Sequence, residues 1–238
     1  MIIGRLKHEI LNLFKTRKKI NFNDPIYRDK PGLLELHKSL NEIFHEYSKQ
    51  IGSIERGNFY QGLKSICIKG QRPTEKRFEI YGLRRFLKKN FSVLDIGSNC
   101  GFFSLYVSKF VGHVDGIEMD PYMVEIGNKV KNYLQIKNCT FYRSIFEKFK
   151  AGEKYDFIMS FAVHRRVNYP LEKYISILHK MLNKDGLLII ESQDIKVVDK
   201  YFSDEMKQII KGKYSLLKEG TLNDDGINDR IFMILKKR

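Results

Sequence analysis

The sequence predicts an α/β fold, a doubly wound sheet of seven strands with the last strand antiparallel and an N-terminal helical cap. Three observations carry this expectation. From residue 91 onward, short apolar runs alternate with segments of helical period. A turn holding Gly97 and Gly101 follows the first of those runs. The last two runs are joined by the short loop "NDDGIND", which leaves no room for a crossover helix. Alternating strands and helices build a parallel sheet, and a pair joined without a helix adds an antiparallel edge.

The elements follow in order. Ile3, Leu6, Ile10 and Leu13 mark one basic amphipathic helix, and Leu33, Leu36, Leu40, Phe44 and Tyr47 a second. Residues 59–77 read as irregular, punctuated by Gly62, Gly70 and Pro73. "FSVLDI" (91–96) is the first strand, and Phe102, Leu105, Tyr106 and Phe110 recur at helical spacing after it. "VDGIEM" (114–119) is the second strand, followed by a helix with Asp120 as its cap and Pro121 in its first turn. "CTFYRS" (139–144) and "YDFIMSFAV" (155–163) are the third and fourth. A helix from Pro170 to Leu182, the turn "NKDG" (183–186), the strand "LLIIES" (187–192) and a helix near 196–211 come next. "YSLLKEG" (214–220) and "RIFMILKK" (230–237) close the chain. Residues 1–75 are expected to be a helical cap and substrate region over the ligand edge of the sheet, and 76–238 the ligand-binding domain.

Composition narrows the function. The chain has 238 residues, 42% hydrophobic and 13% aromatic, enough for a sizeable core. No apolar run approaches the length of a transmembrane helix, and the N-terminus is too often interrupted by charge to be a signal peptide. Cys67, Cys100 and Cys139 match no disulfide or metal spacing, so a cytoplasmic protein without a metal is expected. The net charge is +15, of which residues 1–90 supply +11. That favours an anionic partner, whether a phosphorylated substrate, RNA or an acidic membrane surface.

Ligands of open α/β sheets bind beyond the carboxyl ends of the strands. The turn after the first strand is the place to look. Gly97 can take a backbone conformation closed to other residues, and Gly101 lets the helix start approach a ligand. The dinucleotide fingerprint G-x-G-x-x-G is absent: the turn reads G-S-N-C-G, with Ser98 in the place given to the second glycine, which makes room for a pyrophosphate. Asp95 suits a ligand with a cationic end. Glu118 lies 21 residues after Gly97, at the end of the second strand, where a carboxylate can accept ribose hydroxyls. A ribose, an amino-acid-like end and no pyrophosphate describe S-adenosylmethionine.

"VLDIGSNCGFFSL", "GIEMDP", "YDFIMSFAV" and "LNKDGLLIIES" resemble, in order and spacing, the motifs of class I S-adenosylmethionine-dependent methyltransferases, which have a Rossmann-like fold. The resemblance covers residues 71–238. It implies that Asp95, Gly97, Ser98, Asn99 and Gly101 hold the methionine portion, with Phe102 and Phe103 close by. It places Glu118 on the ribose, Met119, Ser144, Ile145 and Phe146 around the adenine, and Ser160 and Phe161 near the sulfonium. No Asp stands in the loop after the third strand to meet the adenine amino group. Phe102, Phe103 and Phe161 serve equally well as core.

The acceptor should arrive at "FAVHRRVNYP" (161–170), just past the fourth strand. His164 is a candidate base, and Arg165 and Arg166 are candidates for phosphate or carboxylate. In "GQRPTEKRF" (70–78), Gln71, Arg72 and Arg77 are candidates for gripping an anionic acceptor or the cofactor carboxylate; Tyr60, Gln61 and Glu191 are weaker ones. The HRR run resembles the corresponding segment of the enzymes that carboxymethylate wobble uridine in tRNA. Val163 replaces their aromatic residue before the His, so that activity is not implied. "GFFSL" and "NDDGINDRIFMIL" resemble small methyltransferases of surface-polysaccharide pathways. The expectation is an O-methyltransferase acting on an anionic saccharide, sugar phosphate or related surface-glycan precursor. An RNA-modifying methyltransferase and an inactive cofactor-binding partner subunit remain as alternatives.

Overall fold

The computed structural model of the protein describes residues 25–50 and 59–238. The basic helix expected around residues 3–13 lies outside them. The described chain contains six α-helices: α1 (Leu33–Gln50), α2 (Thr74–Tyr81), α3 (Phe102–Val107), α4 (Pro121–Tyr133), α5 (Leu171–Met181) and α6 (Phe202–Ile209). Two short strands, β1 (Gln61–Gly62) and β2 (Arg72–Pro73), pair in parallel. Seven more form the main sheet: β3 (Ser92–Ile96), β4 (His113–Glu118), β5 (Cys139–Arg143), β6 (Tyr155–Phe161), β7 (Leu182–Glu191), β8 (Tyr214–Leu222) and β9 (Arg230–Lys237). Their spatial order is β5-β4-β3-β6-β7-β9-β8. The first five run parallel, and β9 enters antiparallel between β7 and β8.

The order reverses between β3 and β6, so the carboxyl ends of these two strands flank the ligand crevice of the fold. Strand alternation divides the core between the two faces of the sheet. Val93, Phe157, Met159 and Ile189 pack with α1, α3 and α4 on one face. Leu94, Ile96, Ile158, Leu188 and Ile190 pack with α5 and α6 on the other. Asp120 caps α4 by accepting hydrogen bonds from the N–H groups of Tyr122 (2.8 Å) and Met123 (3.3 Å), with Pro121 at the first helical position.

Several expectations change. Residues 74–81 are helical rather than irregular. The expected turn at 183–186 is an irregularity inside β7: Leu182 pairs with Tyr155 and Leu187 with Phe157, and Asp185 takes a left-handed φ of 60°. The last helix begins at Phe202, six residues later than expected. The helix α1 does not cover the ligand edge. Its Leu33, Leu36, Leu40 and Ile43 join the main core, and Tyr47 packs against Tyr122 of α4 at 5.8 Å. Burial of each such leucine contributes about 2 kcal/mol, so α1 is held to the sheet as firmly as the other helices. Residues 59–81 cover the carboxyl edge instead, as their contacts below show. Among the described residues, no helix is long and apolar enough to cross a membrane.

Candidate active site

The chain leaves β3 through three left-handed residues: Gly97 (φ 68°), Asn99 (φ 54°) and Gly101 (φ 70°). Asn99, not Ser98, therefore occupies the place of the second glycine. Asparagine is among the few residues that tolerate this conformation. The N–H groups of Gly97 and Ser98 both donate to the carbonyl of Ile117, at 2.9 and 3.0 Å. Glu118 completes the junction. Its Oε2 accepts from the N–H of Asn99 at 2.9 Å, and its Oε1 from Met119 and Asp120 at 2.8 and 3.0 Å. Turn and acid are thus one rigid unit. Gly101 has a different reason from the one expected: a Cβ there would lie 2.3 Å from the ring of Phe141, so the close approach is to β5 and not to a ligand. At Gly97 a Cβ would meet a methyl of Val163 at 2.7 Å.

Beneath the turn, Asp95 is buried and accepts from the Ser104 hydroxyl of α3 at 2.5 Å. Burial pushes its carboxyl up to about 7, against the hydrogen bond from Ser104. In this arrangement Asp95 anchors α3 to β3. Ser160 also points inward, sharing a 2.9 Å hydrogen bond with the Tyr174 hydroxyl on the α5 face. Phe102 and Phe103 are fully buried. Phe161 is half-buried, stacked on Tyr81 at 5.3 Å and edge-on to Phe103 at 4.7 Å. Met119, Ser144 and Ile145 line one pocket beyond Glu118, together with Arg143 and Lys148, which were not anticipated. Phe146 turns away from it and packs on Tyr174 at 5.0 Å.

On the acceptor side, the structure removes Arg72 and Arg77 from the groups open to an incoming anion. Arg72 makes two forked pairs, to Glu191 at 2.9 and 3.1 Å and to Asp224 at 2.8 and 2.8 Å, and it also donates to the Tyr60 hydroxyl at 3.1 Å. All five of its N–H donors are used. Arg77 stacks over Phe161 (4.8 Å) and Phe103 (5.1 Å) and donates to the Tyr81 hydroxyl, which itself donates to Glu191. Burial opposes the Glu191 charge, but the Arg72 and Arg77 guanidiniums outweigh it and hold the carboxyl at about 2. Glu191 therefore belongs to this network. Sequence reading missed Asp224, which is 152 residues from Arg72. Gln71 engages through its backbone N–H, on Phe59 and Tyr60. Gln61 bridges the turn from above, donating to the Ser98 carbonyl at 3.1 Å and accepting from the Phe102 N–H at 2.9 Å.

His164 is buried, with its ring against Phe202 at 5.2 Å and its Nε2 3.1 Å from Asp199. Asp199 also accepts from Arg165 at 2.7 Å and from the N–H of Gln193 at 2.5 Å. Burial opposes its charge, and these hydrogen bonds overcome it to hold the carboxyl at about 2. The Nδ1 of His164 is buried and has no hydrogen-bond partner among the described residues. Just before it, Ala162 takes a left-handed φ of 57°, and Gln193 donates to its carbonyl. A strained non-glycine residue persists only where its surroundings hold it. Arg166 is exposed.

Comparisons with known proteins agree with this architecture. Residues 87–225 match the family model described as a methyltransferase domain. No curated protein matches. Among solved structures, the N-methyltransferase NodS from Bradyrhizobium japonicum WM9, in complex with S-adenosyl-L-homocysteine, is 14% identical, with 70% of this chain and 88% of that one covered and a TM-score of 0.56. A SAM dependent methyltransferase from Aquifex aeolicus is 22% identical over 69% and 89%, with a TM-score of 0.55. An rRNA methylase from Streptococcus thermophilus is 13% identical over 67% and 94%, with a TM-score of 0.52. At these identities the likeness is one of fold, while the family match spans more than half of the chain: the protein belongs to the methyltransferase domain family.

Proposed function

We propose that the protein methylates an oxygen of an anionic saccharide, sugar phosphate or related surface-glycan precursor. Its cofactor is S-adenosylmethionine, which supplies an electrophilic methyl group on a sulfonium. The residues of the turn suit that molecule. Ser98 Oγ and Asn99 Oδ1 are buried and have no hydrogen-bond partner among the described residues. Buried polar groups are normally paired, and hydroxyl or amino donors of a ligand supply what these two lack. The observation that carries the reading is this pair of atoms, set beside a Glu118 carboxylate that is already locked to the same turn.

Glu118 would hold the ribose, and Met119, Ser144 and Ile145 would flank the adenine. Asp95 supports the turn from below. An oxygen acceptor must lose a proton as the methyl arrives. Asp199 takes the Nε2 proton of His164 as its partner, which leaves Nδ1 as the basic nitrogen. Arg166 is the exposed cation nearest in sequence to that imidazole. The saccharide assignment rests on the net charge of +15 and on the resemblance of "GFFSL" and "NDDGINDRIFMIL" to polysaccharide-pathway methyltransferases.

The test is transfer of labelled methyl groups from S-adenosylmethionine to a panel of phosphorylated sugars, nucleotide sugars and tRNA. The expected result is label on a sugar oxygen. Label on tRNA alone would replace the saccharide reading with the RNA one. Full turnover by His164→Ala on the accepted substrate would remove His164 from the role of base.

A further inference from the structure

The connection from β5 to β6 differs from the other parallel crossovers. The β3–β4, β4–β5 and β6–β7 connections each contain an α-helix. Residues 144–154 contain only a 3-10 turn, Phe146–Lys148. Parallel strands are usually joined by a crossover of a dozen or more residues with a covering helix. Here a groove of about 460 Å³ opens at the β4–β5 edge, a size within the range of ligand pockets.

Its lining has a definite chemistry. Arg143, Lys148 and Lys150 are exposed, and none has an ion-pair partner among the described residues. Tyr142 is 42% exposed, with its ring 5.6 Å from that of Phe149. The acid in the groove, Asp115, is already engaged: Oδ2 accepts from the Tyr155 hydroxyl at 2.9 Å, and Oδ1 lies 3.0 Å from His113 Nε2. Glu147, within the same turn, accepts from the N–H of Asn168. The cations are therefore left without an internal counter-charge, beside an open aromatic face.

We propose that this groove is a second ligand site, for a nucleoside phosphate. The base lies against Tyr142, and Arg143, Lys148 and Lys150 hold the phosphate. Aromatic faces accept any base, and clustered cations supply attraction to phosphate. Arg143 and Lys148 also line the neighbouring pocket with Met119, so the two pockets adjoin but are not the same.

Uridine 5′-monophosphate is the probe, because it carries no adenine. It is titrated into the protein with and without saturating S-adenosylhomocysteine and followed by calorimetry and by the ring signals of labelled tyrosine. Binding that shifts the Tyr142 signals in both conditions is expected. Tyr142→Ala should weaken it about tenfold, the scale of one lost base–aromatic stack. Lys150→Ala should weaken both the nucleotide and inorganic phosphate, while Tyr142→Ala should leave inorganic phosphate unchanged. S-adenosylhomocysteine affinity, measured in the same two variants, reports separately on the cofactor reading. Absence of binding at millimolar nucleotide, displacement by S-adenosylhomocysteine, or equal affinity in both variants would overturn the proposal.

Discussion

Glu118 Oε2 lies 2.9 Å from the backbone nitrogen of Asn99, and this one hydrogen bond joins the end of β4 to the turn that ends β3. The two crevice-forming features are thereby fixed relative to each other before any ligand arrives. Preorganisation of this kind lowers the cost of binding.

Gly101→Ala should destabilise the fold strongly. The new Cβ would collide with the Phe141 ring at 2.3 Å, and the left-handed backbone adds about 1–2 kcal/mol. Gly152→Ala is the control, since a Cβ there meets nothing within 4 Å. Urea unfolding should show a markedly lower midpoint for the first variant and an unchanged one for the second.

The Arg72 network makes an equally direct prediction. Arg72→Met removes a guanidinium that is 1% exposed and leaves Glu191 and Asp224 with less compensation. Loss of one partner from a buried ion pair costs about 3–5 kcal/mol. Chemical denaturation should show a loss on that scale. A cost below about 1 kcal/mol would mean that the forks contribute little.

Asp95 should make stability depend on pH. Its folded carboxyl titrates at about 7, well above the ordinary value of 3.8, because burial disfavours the charge. The folded state then binds more protons than the unfolded chain between those values, so stability falls as pH rises from about 4 to 7. Glu191 and Asp199, both held at about 2, contribute stability that is present above their unfolded values and is lost only in strong acid. Asp95→Asn should flatten the decline between pH 4 and 7 when unfolding free energies are measured across that range. An unchanged slope would assign it to another group.

Much of this architecture is legible in the residues alone. The seven main strands follow from apolar runs, and the Asp120–Pro121 start of α4 from capping chemistry. Glu118 is identifiable from its distance to Gly97. What sequence does not reveal is pairing over long separations. Nothing local marks Glu191 and Asp224 as the partners of Arg72, or Asp199 as the partner of His164. Arg72 and Arg77 look like free cations until the fold brings carboxylates to them. The helix α2 is hidden by its composition: "TEKRFEIY" places charged Arg77 and Glu75 on buried positions, which blurs the amphipathic pattern. Gly101 invites a ligand-based explanation because the ring that crowds it, Phe141, is two strands away in the sheet.

The most direct test of the central claim is a calorimetric titration of S-adenosylhomocysteine into the wild-type protein and Glu118→Ala, with NAD as a control ligand and circular dichroism to confirm folding. A charged hydrogen-bond acceptor contributes about 1.5–3 kcal/mol, so the variant should bind at least tenfold more weakly. The wild-type protein should bind S-adenosylhomocysteine and not NAD. Equal affinity of the two proteins, or preference of the wild type for NAD, would contradict the account.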